Sequence, residues 1–153
     1  MSETGCCFTG HRHITESEKP QLRSTLNQII RELVTAGGMN TFYVGGAQGF
    51  DTLAAMAVLM ARERFPVIRL VIVLPYANHI DLWSAADEVI CLAERYYTGC
   101  MFVRNRYLVD HSSLCVSYQT KQTGGTAYTV KYASKMGVKV INLADIVKAR
   151  KGG

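Results

Sequence analysis

Short apolar segments that resemble β-strands alternate along the chain with longer segments whose apolar residues recur at helical spacing. The predicted strands are residues 5–9, 41–44, 67–74, 88–92, 114–118 and 139–143. The first predicted helix starts between residues 15 and 20 and ends at 37–38, and the others span 52–64, 80–86, 100–109 and 126–136. Because the connections are short, this order predicts an α/β fold, a doubly wound and mostly parallel sheet with helices on both faces.

Two glycine-rich loops each stand where a predicted strand hands over to a helix, and ligands of such sheets bind at the carboxyl ends of the strands. Glycine lets backbone amides approach an anion, and the helix behind the loop adds the positive end of its dipole. The pair of loops therefore predicts a phosphate site. Its candidate residues are Gly45, Gly46, Ala47 and Gly49 in the first loop and Gly124, Gly125, Thr126 and Thr129 in the second.

Asp51 follows the first loop, and two interpretations of it stay open. It either caps the second helix through its carboxylate or accepts hydrogen bonds from a ribose or a base. At a helix N-terminus its carboxylate is expected to stay ionised.

Other strand ends add candidate ligand contacts. Gly10 permits a tight turn after the first strand, and Arg12 can pair with a phosphate through its planar guanidinium. Pro75 and Tyr76 end the third predicted strand, and Trp83 follows, either stacking on a base or packing in the core. Arg104 and Asn105 lie on a helix expected to face the same crevice, where Arg104 either clamps an anion or is solvated.

Length and composition favour one domain spanning residues 1–153, since 153 residues at 48% hydrophobic content suffice for one core. No segment approaches the ~20 apolar residues of a membrane span. The first residues lack the basic and apolar regions of a secretory signal, so a cytoplasmic protein with no membrane partner is expected. Five cysteines without C-x-x-C spacing predict buried, reduced thiols, with Cys100 as the most exposed one.

The net charge of +5 permits an anionic ligand. No stripe of Lys and Arg with interleaved aromatic residues is present, which argues against a nucleic-acid partner. Residues 148–153 are predicted to form a frayed basic tail. His11 and His13 are two residues apart with no third ligand nearby, so neither a metal site nor a cofactor is predicted.

Taken together, these motifs resemble the SLOG superfamily, and within it the small YpsA-like proteins, over nearly the whole chain. The resemblance is carried by Thr9-Gly10-His11-Arg12, the loop from Gly45 to Asp51, Pro75-Tyr76 with Trp83, Arg104-Asn105 followed by Val109-Asp110, and Gly124-Gly125-Thr126 followed by Thr129 and Tyr132-Ala133. It implies a Rossmann-like fold and a pocket for nucleotides or nucleotide-derived molecules such as ADP-ribose derivatives. The core is also similar to DprA, which binds single-stranded DNA, and to the LOG phosphoribohydrolases.

One departure bears on catalysis. LOG enzymes carry a glutamate shortly after the glycine loop, whereas this chain has Thr129-Val130-Lys131 there. The leading hypothesis is therefore a nucleotide-binding sensor or regulator, and the missing glutamate argues against an enzyme without deciding the question. A nucleotide or N-glycosidic hydrolase and a DprA-like single-stranded DNA binder are the alternatives. The base, the number of phosphates and the formation of a homo-oligomer stay open at this point.

Overall fold

A six-stranded parallel sheet forms the centre of the computed structural model, which describes residues 3–78 and 80–152. The strands are β1 (Gly5–Gly10), β2 (Thr41–Val44), β3 (Arg69–Leu74), β4 (Glu88–Cys91), β5 (Leu114–Tyr118) and β6 (Lys139–Asn142). The helices are α1 (Lys19–Thr35), α2 (Phe50–Arg64), α3 (Cys100–Asp110), α4 (Gly125–Lys135) and α5 (Leu143–Gly152), with a short 3-10 turn at Ile80–Trp83. The predicted α/β architecture is confirmed.

The strand order across the sheet is β4-β3-β2-β1-β5-β6, and every neighbouring pair is parallel. The chain therefore builds outward from β1 in one direction through β4, and then crosses to the other side of β1. This reversal of direction lies between β1 and β5, which pair from Cys6 with Leu114 to Gly10 with Tyr118.

Two cores cover the two faces of the sheet. On one face, α1, α2 and α5 pack around Phe8, Phe42 and Phe50, all fully buried. On the other face, α3 and α4 enclose a smaller cluster that includes Cys7, Cys115, Leu108 and Ala133. Burial on both faces explains why the central strands are almost continuously apolar.

Several boundaries and two side-chain predictions differ from the structure. The predicted basic tail at 148–153 is wrong, because α5 extends to Gly152 and is held by Leu143, which is fully buried, and Ile146, which packs on the core. Strand β3 begins at Arg69 rather than at 67, and the predicted helix over 80–86 is a single 3-10 turn. Cys100 is buried at the start of α3, whereas Cys91 is exposed. Met1, Ser2 and Gly153 lie outside the described residues.

Candidate functional site

Two adjoining cavities open at the carboxyl ends of the strands. The inner cavity, 270 Å³, lies at the reversal point between the end of β1, α3 and the start of α4. The outer cavity, 500 Å³, lies beyond the ends of β2 and β3. Arg12, Ala47, Met101 and Arg104 line both. Volumes of this size fall near the ~300–1,000 Å³ range of ligand pockets.

Most of the residues selected from the sequence lie around these cavities. Those that line the inner cavity are Gly10, Arg12, Ala47, Asp51, Arg104, Asn105, Gly125 and Thr126. Those that line the outer cavity are Arg12, Gly45, Gly46, Ala47, Pro75, Tyr76 and Arg104. Gly49, Gly124 and Thr129 line neither, and the Thr129 hydroxyl is buried and donates to the carbonyl of Gly125.

The N-terminus of α4 is open toward the inner cavity. Gly124 holds the N-cap position with a φ of 99° and supplies no side-chain cap. The first amide that bonds within the helix is that of Tyr128, which donates to Gly124 O at 3.0 Å. The preceding amides of residues 125–127 have no partner within the helix. A Cβ on Gly125 would meet only Asn105 Nδ2, at 3.9 Å, so there is free space in front of these amides.

The N-terminus of α2, by contrast, is closed by the protein itself. The amide of Phe50 donates to His11 O at 3.0 Å, which ties the start of the helix to the loop after β1. Gly49 holds the N-cap position, and Asp51 lies inside the first turn, where its Oδ2 accepts the amide of Ala47 at 3.1 Å. The interpretation of Asp51 as the helix cap is therefore wrong.

The glycines of the first loop make room for other parts of the protein. A Cβ on Gly45 would lie 2.8 Å from Arg104 Nη1 and 2.9 Å from Asp51 Oδ2. A Cβ on Gly46 would lie 2.6 Å from Leu74 Cδ2, and the φ of Gly46 is 73°. These positions need glycine because a strand end and two side chains pack directly against the loop backbone.

Three charged groups surround the floor of the two cavities. Arg104 is only 5% exposed, donates through Nη1 to Gly45 O, and donates through Nε to Asn105 Oδ1 at 2.9 Å. Burial raises the pKa of Asp51, an effect that the positive charge of Arg104 and the hydrogen bond from the Ala47 amide oppose. Burial also lowers the pKa of Arg104, the negative charge of Asp51 opposes this shift, and repulsion from Arg12 adds to it. With Asp51 ionised, two guanidinium groups face one carboxylate, and this excess of positive charge favours an anion.

Aromatic side chains line the outer cavity. Tyr76 lies at its rim and meets Tyr96 edge to face, with the ring centroids 5.7 Å apart. Trp83 lines the cavity and also packs, half-buried, against the core. The interpretation of Trp83 as a packing residue is therefore confirmed, and its stacking on a base stays a prediction.

Six residues that line the inner cavity were not among the ligand contacts predicted from the sequence, namely Phe8, Thr9, His11, Met101, Phe102 and Leu108. His11 lies directly between Gly10 and Arg12, so its position at a strand end was a usable signal. Met101 and Phe102 lie in the first turn of α3, and nothing in their spacing distinguishes them from core residues. Among the residues that the structure describes, no three His, Cys, Asp or Glu side chains are placed to hold a metal ion together.

No helix within residues 3–78 and 80–152 is both long enough and apolar enough to cross a membrane.

The fold has close structural counterparts. DprA from Streptococcus pneumoniae superimposes with a TM-score of 0.68 at 18% identity over 88% of this chain, which spans about half of that protein (48%). DprA from Helicobacter pylori, described for its single-stranded DNA binding mode, gives a TM-score of 0.65 at 18% identity over 90% of this chain and 64% of DprA. At these identities the likeness concerns the fold alone.

Sequence comparison is more specific. YoqJ, an uncharacterized SPbeta prophage-derived protein of Bacillus subtilis (strain 168), is 28% identical over 139 residues, which cover 75% of this chain and 81% of YoqJ. The model of the YspA SLOG family matches residues 6–146. This match takes in all six strands and both glycine loops. The chain therefore belongs to the YspA SLOG family.

Proposed function

We propose that this protein binds a nucleotide or a nucleotide-derived ligand of the ADP-ribose type in the two cavities, and that it acts as a sensor or regulator. The observation that carries the proposal is the uncapped N-terminus of α4, which opens into a cavity that Arg12 and Arg104 also line. Free amides, a helix dipole and guanidinium groups together favour a phosphate.

The two cavities suggest how the parts of such a ligand are arranged. A phosphate binds the amides of Gly125 and Thr126, and the exposed guanidinium of Arg12 reaches it from the opposite wall. Asp51 lines the inner cavity and accepts hydrogen bonds from a ribose. The base then occupies the outer cavity beside Tyr76 and Trp83. Arg104 contributes charge while its own hydrogen bonds fix the Gly45 loop.

Binding is expected to raise the melting temperature of the protein. A ligand at about 100 times its dissociation constant stabilises a fold by about 2.7 kcal/mol, which is easily seen in a thermal-shift assay. The assay should screen mononucleotides, dinucleotides, cyclic nucleotides and ADP-ribose at millimolar concentration. If the melting temperature stays the same with every one of them, the proposed function is wrong.

Hydrolysis of a nucleotide is the alternative, and we expect that the protein does not release adenine from AMP at a useful rate. Val130 and Lys131 occupy the place of the LOG glutamate, and Asp51 is the one carboxylate among the described residues that line the cavities. General acid–base help is worth about 10²–10⁴-fold in rate, so its absence leaves at most trace turnover. Chromatography of AMP incubated with the protein measures free adenine. Robust release that disappears in Asp51→Asn would make this protein an enzyme.

Single-stranded DNA binding is a second candidate, favoured by exposed aromatic rings beside the inner cavity. Phe102 and Tyr97 are each 44% exposed, and Arg106, which donates to Tyr128 Oη at 2.7 Å, lies in the same open groove. Bases of a single strand stack on such rings. Titration with an oligothymidylate at several salt concentrations separates the candidates, because a steep fall of affinity with salt is typical of DNA binding.

A further inference from the structure

His11 connects two loops that border the inner cavity. It lies at the end of β1, and its Nε2 accepts the amide of Thr120 at 2.9 Å, with Thr120 Oγ1 at 3.0 Å. Thr120 belongs to the β5–α4 loop, residues 119–124, which leads directly into the open helix N-terminus. An imidazole nitrogen that accepts an N–H carries no proton, so His11 is neutral with its proton on Nδ1.

Hydrogen bonds to side chains hold the start of the β5–α4 loop, and within the loop Gln119 Nε2 donates to Lys121 O at 2.8 Å. Asn142 holds Gln119 twice, since its Oδ1 accepts Gln119 N at 3.0 Å and its Nδ2 donates to Gln119 O at 3.0 Å. His11 fixes the next residue. After Thr120, the next backbone amide that donates a hydrogen bond within the described part of the chain is that of Tyr128, already in α4. Among the described residues, the imidazole is thus the last acceptor for a backbone N–H of the loop before the site, and its hydrogen bond ties the loop to the end of β1.

We propose that His11 is a positioning residue for the ligand: by accepting the Thr120 amide, it holds the β5–α4 loop so that the open N-terminus of α4 faces the inner cavity. The proposal rests on the proposed function, since it assigns the means by which the same anion site is held. His11 itself need not touch the ligand.

The groups around His11 support a neutral ring at neutral pH. Burial lowers the pKa of His11, the charge of Lys121 on the loop lowers it further, and the charge of Glu18 at the start of α1 opposes both. The Glu18 carboxylate accepts a hydrogen bond from Tyr118 Oη, and the Tyr118 ring packs edge to face on the imidazole with the ring centroids 6.1 Å apart. Arg12, the next residue along the chain, lines the same cavity and adds positive charge.

Protonation turns Nε2 from an acceptor into a donor, so the bond from the Thr120 amide is lost and only the hydroxyl Thr120 Oγ1, at 3.0 Å, is left as its partner. Because the folded pKa lies below the ordinary 6.5, the anchor is fully present above that value and is lost as the pH falls through the folded pKa. Anion binding is therefore expected to weaken on acidification.

The first experiment tests the anchor without any ligand. Hydrogen exchange of the Thr120 amide is measured in the wild type, His11→Ala, His11→Gln and the control His13→Gln, which changes an exposed neighbour. We expect exchange about 10-fold faster in His11→Ala and little change in His11→Gln, whose amide oxygen can still accept, or in the control. Unchanged exchange in His11→Ala would overturn the anchor itself.

The second experiment measures ADP-ribose binding by calorimetry at about pH 7.5 and about pH 5.5. At the higher pH we expect His11→Ala to bind about 10-fold more weakly than the wild type and His11→Gln to bind equally well. At the lower pH we expect the wild type to lose affinity and His11→Gln to keep it. Wild-type affinity in His11→Ala would contradict the proposal. A rise in wild-type affinity on acidification, absent in His11→Gln, would show that His11 contacts the ligand as a cation instead. If the wild type binds no ADP-ribose, the proposed function fails for this probe, while the exchange experiment still decides the anchor.

Discussion

Replacing Gly125 with valine is expected to weaken nucleotide binding by about 100-fold or more while the melting temperature of the free protein stays close to that of the wild type. The valine methyl groups enter the space in front of the α4 amides, where an added Cβ lies no nearer than 3.9 Å to Asn105 Nδ2. The phosphate then loses two or more charge-assisted hydrogen bonds, each worth about 1.5–3 kcal/mol. The fold tolerates the change because the position is exposed and lies in the first turn of a helix.

The matched control for this variant is Thr123→Val, which places the same side chain two residues earlier on the exposed loop. Calorimetry with the strongest ligand of the thermal-shift screen measures all three proteins, and thermal unfolding verifies their folding. If Gly125→Val and the wild type bind with equal affinity, the phosphate binds at another wall of the cavities and not at the start of α4.

Replacing Gly49 with alanine is expected to lower the free energy of unfolding by about 3–5 kcal/mol, a large share of the ~5–15 kcal/mol of a typical domain. Two effects add. The φ of Gly49 is 75°, which a side chain disfavours, and the new Cβ would lie 2.2 Å from the backbone oxygen of Arg12. One loop must move, and the bond from Phe50 N to His11 O moves with it.

Gly137→Ala measures the cost of a side chain at positive φ where no atom is close to the added Cβ. Gly137 has nearly the same φ, 76°, yet nothing lies within 4 Å of the position of its Cβ. Its substitution is expected to cost only the conformational part, about 1–2 kcal/mol. Urea unfolding measures both variants. If both variants lose the same free energy of unfolding, the loop after β1 moves at little cost, and the close approach of Arg12 to Gly49 is unimportant for stability.

The fold could be predicted because its signals are local. Each strand is a short apolar run, each helix has its own spacing of apolar residues, and their strict alternation leaves a parallel sheet as the arrangement that buries them all. The end of the chain was predicted wrongly because its basic residues are typical of a solvated tail. The helix there is stabilised by Leu143 and Ile146, and it packs on α1 and β5, which are distant in sequence. Tertiary contacts of this kind leave little trace in local composition.

The different roles of the two glycine loops could not be predicted, because a glycine is required both where protein atoms pack against the backbone and where a ligand needs space. Gly45 and Gly49 admit neighbouring protein atoms, whereas Gly125 leaves open space. The sequence shows in both cases that the Cβ is missing, and it does not show whether protein atoms or open space lie at that position. The interpretation of Asp51 as a helix cap failed for a related reason. The position of a helix start decides whether a carboxylate caps the helix or lies inside its first turn, and such boundaries are the least certain part of a sequence-based assignment.

The central place of β1 also shapes how the chain is made. Its partner β5 ends only at residue 118, so β1 leaves the ribosome more than a hundred residues before its second edge is covered. Until then its Cys6–Phe8 segment, fully buried in the native state, offers an apolar edge to other chains. Pairing across so long a separation is slow, and chains of this topology are exposed to aggregation during synthesis. The proposed anion site at the β1–β5 junction is therefore among the last parts of the molecule to form.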